Sequence, residues 1–168
     1  MKTALRETTL KKDLANKKLT VTREFAASRS KVWDAWTKSE LLDQWWAPQP
    51  WKAVTKSQDF SEGGRWHYYM AGPAGEKEWC LLDYITIDAK NSYTAKDSFC
   101  DENQNKRNDF PSMNWKNTFT GTGNETKVEI EITFESEEGL KQILEMGFQE
   151  GFTMAHGNLD ELIAQGKI

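Results

Sequence analysis

The sequence predicts an α+β domain in which an antiparallel sheet is covered on one face by a long C-terminal helix. Three observations carry this. From Trp51 onward, short stretches rich in alternating apolar and polar residues are separated by turn chemistry, the mark of consecutive antiparallel strands. The last of them, Lys127 to Phe134, sets Val128, Ile130, Ile132 and Phe134 against Glu129, Glu131 and Thr133, so the sheet has one buried and one wet face. The stretch from Ser136 to Gln165 contains no proline and repeats apolar residues at three- and four-residue steps, which gives a helix with one apolar face. Two one-sided surfaces in one chain are expected to cover each other.

Taken in order, residues 1–18 are polar and lysine-rich, with Leu5, Leu10 and Leu14 too sparse to bury much. They are expected to form a frayed helix or arm, available for pairing in a homodimer, ahead of a single domain over residues 19–168. Leu19 to Ala26 alternates Leu19, Val21, Arg23 and Phe25 against Thr20, Thr22 and Glu24 and reads as a strand. Arg23 lies on its apolar phase, so the guanidinium must reach solvent or meet a carboxylate.

Ser28 or Ser30 can cap a short helix through Thr37 with Val32, Trp33 and Trp36 on its apolar stripe. Ser39 can cap a second over Glu40 to Trp46, ended by Pro48 and Pro50. Strands then follow at roughly Lys52 to Gln58, Gly64 to Ala71, Glu76 to Ile87, Ser92 to Cys100, Met113 to Gly121 and Lys127 to Phe134, a six-strand meander. In the second of these, Trp66, Tyr68 and Met70 share the inward phase and Arg65, His67 and Tyr69 the outward one, so His67 is expected at the surface.

The final helix has Ser136 as its N-cap and Glu137 and Glu138 in its first turn, where the helix dipole favours negative charge. At ~1.5 Å per residue it would run roughly 45 Å as one piece. Glycine costs about 1 kcal/mol in a helix interior, yet Gly147, Gly151 and Gly157 fall within it. Either a neighbour packs closely there, or the helix forms one wall of a cavity.

Composition excludes several classes of function. The formal net charge is −4 and the basic residues are scattered, which argues against nucleic acid as a partner. No segment approaches the ~20 apolar residues of a membrane span. Met1 is followed by a polar segment, and Cys80 and Cys100 have no His or Cys at metal-ligand spacing, so a cytoplasmic protein with free thiols and no metal or cofactor is expected. Aromatic residues reach 12%, with eight tryptophans, so the core is built from rings and a ring-lined pocket is available.

This element order, β, two short helices, a six-strand meander and a final helix, resembles the helix-grip fold of the START-like, or SRPBCC, superfamily. The closest resemblance is to the branch named after the activator of the heat-shock protein 90 ATPase. It rests on Thr22-Arg23, on Ala27 with Val32-Trp33-Asp34-Ala35-Trp36-Thr37, and on Leu42-Asp43-Gln44-Trp45-Trp46-Ala47-Pro48. It rests further on Asp59 with Gly63-Gly64, and on Gly151-Phe152 through Leu159 and Leu162, so it spans residues 19 to 165. Where that family usually places an arginine ahead of the double glycine, this chain has Ser61 and Glu62. The resemblance implies a curved sheet gripping the last helix, with a cavity between them that holds lipids, sterols, hormones or polyketides in other members. It does not imply one activity, because the fold hosts binding proteins, cyclases and co-chaperones.

Catalytic chemistry is thinly represented. His67, His156, Cys80, Cys100, Asp59, Glu78 and Asp83 show no catalytic spacing, and Gly63-Gly64 lacks the lysine of a phosphate loop and reads as a tight turn or bulge. The rings are the better signal. Trp66, Tyr68, Met70, Trp115, Phe119, Phe148 and Phe152 fall on phases that face between sheet and helix, together with Gly151. Trp45 is expected near the mouth, and Tyr84 and Asn117 as polar anchors. The expected function is non-catalytic binding of a small hydrophobic or amphipathic molecule. Two alternatives remain: a co-chaperone module acting on a chaperone ATPase, and a cyclase or hydrolase using Tyr84, His156 or Asp59 in the same pocket.

Overall fold

These local patterns assemble into one eight-stranded antiparallel sheet and four helices in the computed structural model, which describes residues 7–168. The strands are β1 (Thr9–Asp13), β2 (Lys18–Phe25), β3 (Lys52–Gln58), β4 (Arg65–Ala71), β5 (Lys77–Asp88), β6 (Ser92–Phe99), β7 (Met113–Thr120) and β8 (Thr126–Thr133). The helices are α1 (Arg29–Thr37) and α2 (Ser39–Trp45) between β2 and β3, then α3 (Glu137–Glu145) and α4 (Phe148–Ala164). Spatial order across the sheet is β1-β2-β8-β7-β6-β5-β4-β3, so β2 lies beside the last strand of the meander. The α1–α2 hairpin carries the chain from there to the far edge.

β2 alternates as its sequence requires, with Leu19, Val21, Arg23 and Phe25 buried. The seven strands from β2 onward start and stop within a residue of the positions the alternation implies. Register shifts between Thr55 and Ser57 in β3 and between Tyr84 and Thr86 in β5 add the local bend of β-bulges to the curved sheet. At the turn before β4, a Cβ on Gly64 would sit 2.1 Å from the Asp59 carbonyl oxygen, so only glycine fits.

Three features depart from the sequence expectations. The first concerns the N-terminal arm. Residues 1–6 lie outside the described residues, and Thr9–Asp13 forms an edge strand on β2, with Asp13 Oδ1 accepting from the Asn16 backbone N–H at 3.1 Å in the turn. Its short alternation is obscured by Lys11, Lys12 and Asp13, charged residues at home on a sheet edge.

The second is the final helix, which is two helices. Gly147 sits at φ +87°, a left-handed conformation that suits glycine, and it ends α3 and opens α4. Its N–H donates to the Leu144 carbonyl at 3.1 Å, closing the last turn of α3. The Ser136 cap holds as expected, with its side chain accepting from the Gly139 N–H at 3.0 Å. Gly147 is therefore a terminator, and its helix-interior cost never arises.

The third is His67. Its side chain does take the outward phase, but it is 1% exposed, because the segment after β6 folds back over the convex face. His67 stacks on Trp79 at 4.8 Å, and its Nε2 lies 3.2 Å from the Asp101 carbonyl oxygen. Leu81, Ser98 and Cys100 are buried with it, a small second core outside the main one.

Between sheet and helices, Arg23 meets the carboxylate of Asp160 on α4, and its guanidinium also lies over the Phe25 ring at 5.4 Å. His156 is fully buried among Phe25, Trp36, Trp45 and Phe152, and its Nδ1 shares a 2.8 Å hydrogen bond with the Thr8 hydroxyl. Burial, reinforced by Arg23, lowers its pKa to about 3, so the imidazole is neutral.

The Arg23 side chain is 4% exposed and its partner 33%. Replacing Asp160 by alanine strands a buried charge and is expected to cost about 2–4 kcal/mol, whereas Arg23→Met removes the charge and is expected to cost clearly less. Urea unfolding of the two variants at neutral pH measures the difference; equal losses would show that packing of the arginine stem, not its charge, carries the contact.

Candidate functional site

The double tryptophan at the end of α2 organises the space between sheet and helices. Trp45 points into the core, where its indole N–H donates to the Ala35 carbonyl at 2.9 Å. Trp46 points the other way. Its indole N–H donates to the Tyr68 hydroxyl at 2.9 Å, and its ring stands edge-on to Trp66 and Phe152 at 5.9 and 5.8 Å. Asn158 of α4 clamps this turn by donating to the carbonyls of Trp45 and Ala47 at 3.3 and 3.0 Å.

Beyond Trp46 lies a cavity of about 510 Å³. Tyr68, Met70, Cys80, Phe99, Trp115 and Asp97 form its floor on β4 to β7, and Ile143, Met146, Phe148, Gly151 and Phe152 its roof on α3 and α4. Trp46 and Pro48 close one end and Phe110 lies at another. A wider groove of about 1020 Å³ runs along α4 past Asp43, Pro50, Lys52, Glu161 and Lys167. Its charged lining makes it the less suitable of the two for an apolar molecule.

Of the residues expected to bind a ligand, Tyr68, Met70, Trp115, Phe148, Gly151 and Phe152 line the cavity. Trp45, Trp66, Tyr84, Asn117 and Phe119 do not. Trp66 is stacked beneath Tyr68 at 3.8 Å, with its indole N–H donating to the Thr55 hydroxyl at 2.9 Å. Tyr84 packs against Phe60 at 4.7 Å and accepts from Gln58 Nε2 at 3.1 Å. Asn117 is buried beside Tyr93, and Phe119 packs on Trp33 at 5.1 Å.

The division has one cause. The concave face is long enough for two compartments, and Trp33 and Trp36 of α1, with Phe60, fill the one floored by Tyr84, Tyr93 and Phe119. Only the other, floored by Met70, Cys80, Phe99 and Met113, is left open. Strand phase gives the face that a residue points to, but not which end of that face a helix fills.

Asp97 was missed, although it lies on the phase of Tyr93, Ala95 and Phe99 in β6, and a carboxylate on an apolar phase is a legible signal. Its cross-strand neighbours are Leu82 and Met113. Asp97 is partly buried in the cavity wall, and loss of solvent there raises its carboxyl to about 7; the Trp115 indole N–H and the Ser98 backbone N–H oppose this, and the indole approaches without closing a full hydrogen bond. Burial also pushes the Cys80 thiol well above its usual range, so it is protonated and a poor nucleophile. The groups considered for catalysis stand elsewhere: Tyr84 and His156 are buried in the core, and Asp59 accepts from the Ser61 hydroxyl at 2.8 Å in the turn before β4.

Among the described residues, no three His, Cys, Asp or Glu side chains converge as metal ligands, and no helix is long and apolar enough to cross a membrane.

The curved sheet, the paired N-terminal helices and the C-terminal helical cover define an α+β protein of the START-like, or SRPBCC, class. The family model described as activator of Hsp90 ATPase homolog 1-like protein matches residues 26–164, and the chain belongs to that family. Among solved structures, it is similar to protein Ms6760 from Mycobacterium smegmatis at 34% identity and a TM-score of 0.85, over 93% of this chain and 96% of that one. A protein from Arthrobacter aurescens shares 30% identity at a TM-score of 0.88, over 94% and 91% of the two chains, and one from Staphylococcus epidermidis 28% at 0.82, over 94% of each. No curated protein matches. Family membership is consistent with ligand binding or with a role related to a chaperone ATPase.

The charge on Asp97 should be visible in stability. Its folded pKa, about 7, lies above the ordinary carboxylate value of 3.8, so between those values the folded state holds more protons than the unfolded one. Stability therefore falls as pH rises from about 4 to 7 on account of this group, and the cost is fully present above 7. Asp97→Asn is expected to be more stable than wild type by about 1–3 kcal/mol at pH 8, with the gap closing towards pH 4. Denaturant unfolding across that range checks it; a gap independent of pH would assign the effect to packing.

Proposed function

We propose that this protein binds a small, largely apolar molecule in the cavity between the sheet and α3–α4, without transforming it. The observation that carries this reading is the cavity itself. Its volume of about 510 Å³ falls within the range of small-molecule sites, and its lining is mostly rings and aliphatic side chains with a few polar groups. The break at Gly147 supports it, because the backbone turns where α3 and α4 cross the opening. Family membership supports ligand binding as one of its two broad roles. A chemical step finds less support, since the Cys80 thiol is held protonated and Tyr84, His156 and Asp59 stand outside the cavity.

Gly151 lines the cavity, and a Cβ there would meet only the Pro48 Cγ, at 3.6 Å, an ordinary contact. Gly151→Ala is therefore expected to keep or raise stability by up to about 1 kcal/mol through helix propensity. Gly151→Leu extends into the open space and is expected to block it. The uncharged fluorophore N-phenyl-1-naphthylamine serves as probe. Wild type and Gly151→Ala should enhance its emission saturably, and Gly151→Leu should lose at least about tenfold in affinity at a near-unchanged melting temperature. No binding to wild type, or equal binding to all three, would overturn the assignment.

A further inference from the structure

Resting on that cavity being a ligand site, we propose that its natural ligand is an organic cation, a hydrophobic body carrying one protonated nitrogen that pairs with Asp97 beneath the aromatic walls. The charge pattern of the lining points this way. Asp97 stands on the concave face in a cross-strand row with Leu82 and Met113, and no ion pair among the described residues includes it. Its neighbour Lys96 falls on the opposite phase of β6 and pairs in register with Asp83 and Asn114. A carboxylate held among apolar groups without a counter-charge is costly, and a cationic ligand removes that cost on arrival.

The rest of the lining agrees. Among the described residues no lysine or arginine lines the cavity, so these offer nothing to pair with a fatty acid or other anion. The other carboxylate on the lining, Glu78, is half exposed and already paired with Arg107 at 3.5 Å, so it leaves Asp97 as the lining's uncompensated charge. Trp46, Tyr68, Trp115, Phe148 and Phe152 surround the space, and the negative faces of such rings attract organic cations. The Tyr68 hydroxyl already accepts from Trp46, and Asp97, which meets the Trp115 indole and the Ser98 backbone N–H but no cation, is left as the anchor without a counter-charge.

The remaining titratable groups near Asp97 are Tyr68 on β4, Cys80 on β5 and Cys100 just after β6, all held neutral by burial. The α3 and α4 residues of the lining, Ile143, Met146, Gly147, Phe148, Gly151 and Phe152, carry none. With a carboxyl pKa of about 7, cation affinity should rise from pH 6 to pH 8 as Asp97 ionises.

Three isosteric probes test the charge preference: 4-phenylbutylamine, 4-phenylbutan-1-ol and 4-phenylbutanoate, titrated by calorimetry at pH 8. The amine is expected to bind at least about tenfold more tightly than the alcohol, with the acid weakest. In Asp97→Asn the amine should fall to within about threefold of the alcohol. The control Glu78→Gln should retain the preference. Equal binding of amine and alcohol to wild type, or a preference that survives Asp97→Asn, overturns the proposal while leaving the cavity reading intact. So does failure of all three probes where N-phenyl-1-naphthylamine binds. Failure of that neutral probe as well overturns the cavity reading itself.

Discussion

The opposed orientation of Trp45 and Trp46 is the constraint on which the interior depends. Adjacent residues at the end of α2 send one indole into the core against Ala35 and the other outward to the Tyr68 hydroxyl. The first completes the packing of α1 and α2 with α4, through Trp36 and His156. The second makes a wall. Because Asn158 holds the turn through two backbone carbonyls, the wall is fixed to α4 as well as to the sheet. Rings at 5–6 Å in edge-on contact fill one compartment of the concave face and stop at Trp46, so the same cluster stabilises the fold and bounds the cavity.

The roof depends on a second constraint, the left-handed residue at Gly147. An unbroken helix of about thirty residues would present one straight stripe to a curved sheet. Splitting it lets α3 bury Leu140 and Ile143, and lets α4 bury Phe152, Ala155, Leu159 and Leu162 along its own line. The junction is the roof of the cavity, where Gly147 and Gly151 bring no side chain into the space.

Three polar groups on the inner face are treated in three ways. Arg23 is given a carboxylate, His156 is held neutral, and Asp97 is left without a counter-charge. The first two lie where helices close over the sheet and must be settled within the chain. The third lies where the chain leaves room, and an external group can settle it.

Much of this could be read from residue order. Strand alternation such as Val128-Ile130-Ile132 marked the seven strands from β2 onward and the buried face of those that alternate cleanly, because side-chain direction in a strand is a local property with period two. The apolar steps of the final segment, the Ser136 cap and the Arg23 requirement for a carboxylate were legible for the same reason, as was the family resemblance carried by the tryptophan-rich helices. What the sequence by itself determined, then, is which face each side chain takes. Only the tertiary structure decided what stands opposite it. His67 points outward and is buried because a loop some thirty residues later covers it, about the separation shown by its bond to Asp101. Phe119 and Trp115 share a phase on one strand, yet α1 lies over one and open space over the other. Gly147 ends a helix although apolar spacing runs through it, because a glycine's φ is chosen by the packing on either side and leaves no mark on hydrophobic period.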